Sequence, residues 1–98
     1  MSNKKTTIVA KILAKAEKKE EVKAELIKLV SFSTSDEGCI NYNLHQDNEN
    51  QNLFFVYENW ENHDALQKHT ESNHFQHFVE ATKDACEEFI VNEMTHIA

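Results

Sequence analysis

Residues 53–60 read LFFVYENW, a stretch that gives a strand no wet side. Successive strand side chains point to opposite faces. Leu53, Phe55 and Tyr57 therefore share one face and Phe54, Val56 and Trp60 the other, with Glu58 among the second set. An antiparallel strand at a surface shows one dry face and one wet one, so this strand needs two covers.

Periodicity supplies the first cover. Thr6 to Ala14 alternate, with Ile8, Ala10 and Ile12 on one side and Thr7, Val9, Lys11 and Leu13 on the other, as a first strand should. From Glu17 the period changes: Val22, Leu26, Leu29 and Val30 recur at helical spacing among Lys and Glu, predicting a helix to about Ser31. The segment SFSTSDEG ends it, and Gly38 leads into a second strand, CINYNLHQ. A polar hairpin loop from Gln46 to Asn52 then returns the chain into LFFVYENW.

Asn62 is placed to cap a short helix carrying Ala65, Leu66 and His69. Ser72 and Asn73 interrupt it, after which Phe75, Phe78, Val79, Thr82, Ala85, Cys86 and Phe89 fall at steps of three and four. That spacing predicts a second amphipathic helix. The tail FIVNEMTHI, rich in β-branched residues, closes the chain as a strand. The order β-α-β-β-α-α-β is a ferredoxin-like split βαβ of the α+β class, a four-stranded antiparallel sheet whose second helix is broken.

In that architecture helices cover one sheet face and leave the other open. With Tyr57, Phe55 or Trp60 on the open face, a monomer would expose an apolar patch of the kind that marks an interface or a ligand groove. The economical second cover is a two-fold partner packed sheet to sheet, with any ligand pocket left between sheet and helices. A larger ligand cleft in a monomer is the competing solution.

Composition narrows the function classes. A chain of 98 residues, 40% hydrophobic, fits a single domain over 1–98 that buries roughly 60–65% of its unfolded surface. Residues 1–30 hold eight lysines against four acids, and residues 31–98 hold two against thirteen. The lysines lie largely along one Lys/Glu helix, so no basic surface for nucleic acid emerges. The chain has no arginine, which removes bidentate recognition of phosphate or carboxylate. Lys11 and Lys15 break the one N-terminal apolar stretch that could serve as a leader, and no segment is long enough to span a membrane. Cys39 and Cys86 form neither a CxxC pair nor a secreted framework, so they read as reduced thiols of a cytoplasmic protein.

Four of the six histidines, His63, His69, His74 and His77, fall within fifteen residues. Only His74 and His77 share helical i,i+3 spacing and no HExxH-like acid accompanies them, so the expectation is no metal. A single pocket histidine suits a general base, because its ordinary pKa lies near working pH. Tyr42 and Trp60 either line a pocket for a flat aromatic ligand or fill the core with a polar edge. A carboxylate at Glu58, between Val56 and Trp60, needs a partner or a function.

The run EGCINYNLHQDNENQNLFFVYENWENHDALQKHTESNHFQHF resembles the central signature of the antibiotic biosynthesis monooxygenase domain family. Gly38 and Cys39 lead into the Asn41–His45 strand, Phe54 to Trp60 carry the YExW strand, and Ala65 to Phe78 carry the ALxxHxxxxHFxxF helix pair. The resemblance implies a dimeric α+β barrel of ferredoxin-like subunits and, for many members, a cofactor-free quinol-monooxygenase-like activity on a small quinol or phenol with dioxygen. It assigns His69 and His74 as the motif histidines, base or orienter, with Tyr42, Glu58, Trp60 and Phe75 around the substrate and Tyr42, Trp60 and Phe75 forming an aromatic wall. The heme-degrading branch of similar fold is disfavoured, since its strand Asn, helix Trp and helix His find no match here. The missing arginine counts against a branch that processes a phosphorylated sugar. A dimeric ligand-binding or stress-related module without turnover is the alternative, since one fold supports many functions.

Overall fold

The computed structural model describes residues 5–98, so residues 1–4 of the expected 1–98 domain lie outside the described part. Its elements are β1 (Thr6–Ala14), α1 (Lys19–Ser33) after a 3-10 turn at Ala16–Lys18, β2 (Cys39–Gln46), β3 (Leu53–Trp60), α2 (His63–Thr70), α3 (Asn73–Thr82) and β4 (Cys86–Met94). The strands order as β2-β3-β1-β4 with every neighbouring pair antiparallel. β1 and β2 therefore run parallel with β3 between them, which is the ferredoxin-like α+β fold expected from periodicity.

Register sorts the sheet into two faces. Ile8, Ala10 and Ile12 sit opposite Glu58, Val56 and Phe54, and these residues are buried beneath the helices. Val22, Leu26 and Leu29 of α1, and Phe78 of α3, meet them in one core. Burying Ile8, Ile12 and Phe54 stabilises the fold by about 1.5–3 kcal/mol each.

The other face carries Val9, Leu13, Leu53 and Phe55, with Tyr57 45% exposed. Ile90 and Met94 of β4 join it, both well exposed. Trp60 does not belong to this face: it is fully buried on the helix side, where parity with Phe54 and Val56 puts it. A polar ladder crosses the open face, the Thr7 hydroxyl donating to Asn59 Oδ1 at 2.6 Å and Asn59 Nδ2 donating to Asn41 Oδ1 at 2.9 Å.

One element departs from its predicted length. The helical spacing continues through Ala85, Cys86 and Phe89, yet α3 ends at Thr82. Cys86 pairs with Ala14, Phe89 with Ile12, and the Lys15 amide donates to Ala85 O at 2.9 Å. Pairing along the whole of β1 claims those residues for β4, so ladder hydrogen bonds override a local helical pattern. Phe89 still meets Phe78 edge-on, with ring centroids 5.7 Å apart, because both face the same core.

The turn after α1 is tightly specified. Asp36 N–H donates to Ser33 O and Cys39 N–H to Asp36 O, while Gly38 O accepts from the Glu61 amide at 2.8 Å. Gly38 has φ +82, and a Cβ there would lie 2.5 Å from Ala65 Cβ, so only glycine lets the turn pass against α2. Among the described residues no helix is long and apolar enough to cross a membrane.

Candidate functional site

The break between α2 and α3 builds the site. Asn62 Oδ1 caps α2 by accepting from the Ala65 amide, and Ser72 Oγ caps α3 by accepting from the Phe75 amide. The Ser72 hydroxyl also donates to His69 O at 2.6 Å, closing the last turn of α2 and fixing where His69 stands. His69 is 2% exposed.

Its ring is held from one end. His69 Nδ1 lies 2.9 Å from Asp36 Oδ2, and His74 Nε2 lies 2.8 Å from the same oxygen. A carboxylate oxygen only accepts, so both rings donate to it, and the hydrogen-bond network assigns the Nδ1–H tautomer to His69. Its Nε2 is then an unprotonated acceptor. That atom is buried and has no hydrogen-bond partner among the described residues. Burial holds the His69 pKa below the ordinary imidazole value, against the opposing pull of Asp36. The ring is neutral at neutral pH.

The orphaned nitrogen belongs to a cavity. A space of about 40 Å³ between sheet and helices is lined by His69, Glu58, Tyr42 and Thr70 among apolar walls that include Phe75 and Phe89. Convergent polar groups in an apolar pocket are the usual form of a small-molecule site. A wider groove of about 370 Å³ lies outside, between α1 and α3, with Phe32, His74 and His77 along it. It is more open, and its own buried polar atom, Glu25 Oε1, lies 3.4 Å from His77 Nε2.

The residues expected from sequence converge, although not all on the cavity. Tyr42, Trp60, His74 and Phe75 all surround the His69 ring, with centroids 5.3, 4.7, 5.9 and 5.1 Å away. Tyr42, Glu58, His69 and Phe75 line the cavity. Trp60, expected in the aromatic wall, stands behind it: its indole tilts over His69 and its Nε1 donates to Glu58 Oε1 at 2.9 Å. His74 stands outside as well, under Phe32 at 5.6 Å, and faces the outer groove.

Glu58 is the other buried ionisable group. Burial raises its carboxyl from 4.5 to about 7, opposed by the Trp60 hydrogen bond. Burial first, and then the charge of Glu58, push the Tyr42 phenol upward, so it stays neutral. The Cys39 thiol is raised to about 11 by burial and by the nearby Asp36 and Glu58. A thiol held protonated is a poor nucleophile, and Cys39 packs against the core instead.

Asp36 is the residue that sequence reasoning missed. The segment SFSTSDEG read only as a helix stop, and nothing local marks the third-last of its residues as a partner for histidines 33 and 38 positions on. Asp36 Oδ2, His69 Nδ1 and His74 Nε2 lie within 4.8 Å of one another, a set that could also accept a divalent ion. Charge-assisted hydrogen bonds account for their spacing without one.

Comparison with known proteins agrees with this fold and motif. The family described as antibiotic biosynthesis monooxygenase matches residues 6–81. A Bacillus subtilis protein named "Putative monooxygenase YcnE" is 37% identical over 75 residues, covering 76% of this chain and 79% of that protein. The uncharacterized Synechocystis protein sll1783 is 35% identical over 77 residues, 79% of this chain, although the match spans only 52% of that longer protein. The crystal structure of PA3566 from Pseudomonas aeruginosa superposes with a TM-score of 0.92 at 28% identity, covering 100% of this chain and 99% of the other. With its YExW strand and broken helix in place, the chain belongs to the antibiotic biosynthesis monooxygenase family.

Proposed function

We propose that this chain is a single-domain monooxygenase that oxidises a small quinol or phenol with dioxygen, with His69 as the base and no cofactor. The observation that carries the reading is the His69 ring, with Nδ1–H tied to Asp36 and an unpartnered Nε2 in an apolar cavity. A phenolic hydroxyl delivered to Nε2 would lose its proton to a neutral imidazole. The phenolate so formed is electron-rich enough to reduce dioxygen itself, which leaves the protein to supply a base and dry walls. The family match and the monooxygenase name of the Bacillus subtilis relative support the reaction class.

The test is oxygen uptake by metal-stripped protein with naphthohydroquinones, anthrones and catechols against a boiled control. Uptake above autoxidation with a quinone as product is the expected result; none across the panel sinks the proposal. A binding module without turnover is the second reading, favoured by a cavity of only about 40 Å³. That space holds no more than a few waters as it stands, so a two-ring phenol must part α3 from β4 at Phe75 and Phe89. Tight aromatic binding without oxygen consumption would select the module.

The apolar open face supports a homodimer packed sheet to sheet. Tyr57→Glu places a charge at the centre of that face and is expected to halve the mass measured by light scattering. A wild-type monomer at micromolar concentration would reject the dimer. Free Cys39 and Cys86 support a cytoplasmic location, which cell fractionation would check.

A further inference from the structure

The cavity holds a second buried proton carrier that a base-only mechanism leaves unused. Glu58 projects from β3 between Ile8 of β1 and Tyr42 of β2, and it lines the same space as His69. Trp60 Nε1 fixes its Oε1 from behind, so the carboxyl is oriented rather than free. Around it, β2 contributes the titratable Tyr42 and Cys39 and α2 contributes His69, whereas Ile8 of β1 and Leu26 and Leu29 of α1 bring no charge to the cavity. Among the described residues no lysine lines the cavity to hold this carboxyl as an ion pair.

We infer that Glu58 is a catalytic proton donor and acceptor in this cavity, protonating the peroxide formed on the substrate and later taking up the ring-carbon proton. The inference rests on the monooxygenase reading above. In a phenol whose para carbon carries hydrogen, as the enol of anthrone does, dioxygen adds to the carbon para to the deprotonated hydroxyl, forming one C–O bond and leaving a peroxide anion on the outer oxygen. The Glu58 O–H gives that oxygen its proton and becomes a carboxylate. The carboxylate then removes the proton on the same carbon, whose C–H electron pair forms the C=O as the O–O bond breaks. The departing hydroxide takes the proton that His69 carries and leaves as water. One oxygen atom ends in the quinone and one in water, and both side chains return to their starting states.

The carboxyl's rise to about 7 fits this role, because a protonated donor then persists close to neutral pH. The probe is anthrone, with oxygen uptake and anthraquinone followed separately from pH 5.5 to 8.5. In the wild type, anthraquinone formation should fall as pH rises through about 7. Glu58→Gln keeps the Trp60 contact and should lower anthraquinone formation roughly 10- to 100-fold while oxygen uptake falls less. The difference should emerge as hydroperoxide or hydrogen peroxide, and the high-pH limb should vanish.

Anthraquinone within twofold of wild type from Glu58→Gln, with the same pH profile, would overturn the assignment and leave the monooxygenase reading standing. A wild-type profile flat between pH 6 and 8 would do the same without any variant. A wild type that takes up no oxygen with anthrone, naphthohydroquinones or catechols would overturn both.

Discussion

Replacing His69 with glutamine should lower kcat with a responsive quinol about 10²- to 10⁴-fold, the usual contribution of a positioned general base. Glutamine fills much of the ring's volume and can still reach Asp36, so the fold should survive, but no basic nitrogen remains in the cavity. Asp36→Asn should fall between that variant and wild type. An amide beside Nδ1 can donate as well as accept, which lets the imidazole adopt the tautomer whose Nε2 carries the proton and is useless as a base. His74→Ala should cost only a few fold, because His74 holds Asp36 from the outer groove and does not line the cavity.

The pH profile separates a base from a spacer. Asp36 is among the causes that raise the His69 pKa against burial, so removing its charge should lower that pKa further. The acid limb, which marks loss of neutral imidazole, should move to lower pH in Asp36→Asn. Rates within threefold of wild type for His69→Gln, or a larger loss for His74→Ala than for His69→Gln, would exclude His69 as the base.

Much of this was legible because strands and helices declare themselves by period. Thr6–Ala14, Cys39–Gln46 and Leu53–Trp60 fall where alternation and the polar loop put them, and Asn62 caps α2 as its side chain allows. The end of α3 was not legible, since Ala85, Cys86 and Phe89 satisfy a helical spacing that only pairing with β1 overrules. Trp60 was placed in the substrate wall from the family resemblance, whereas only the packed structure shows it turned behind Glu58. Asp36 carries no periodic or motif signal; its meaning arises when the turn after α1 meets the helix break, a contact between segments distant in sequence.

Trp60→Ala should be the most destabilising single substitution around the site. It removes a fully buried indole, worth about 3–5 kcal/mol in comparable cores, from a domain whose whole stability is about 5–15 kcal/mol. It also strips Glu58 Oε1 of its donor. Trp60→Phe isolates the second effect, since a ring still packs against His69 while the N–H is lost. Its cost should depend on pH. Glu58 is raised in the folded state from 4.5 to about 7, so its contribution to stability is fully present below 4.5 and is lost as pH rises through about 7. At pH 5 the carboxyl is protonated in the fold and the indole hydrogen bond is a neutral one of ordinary strength. At pH 8 the same N–H supports a buried carboxylate, where a lost donor costs more, about 1–3 kcal/mol. Urea titrations at pH 5 and pH 8 should therefore show Trp60→Phe losing more stability at the higher pH, and Glu58→Gln should erase the difference. Equal losses at both pH values would mean that the indole serves Glu58 only as packing.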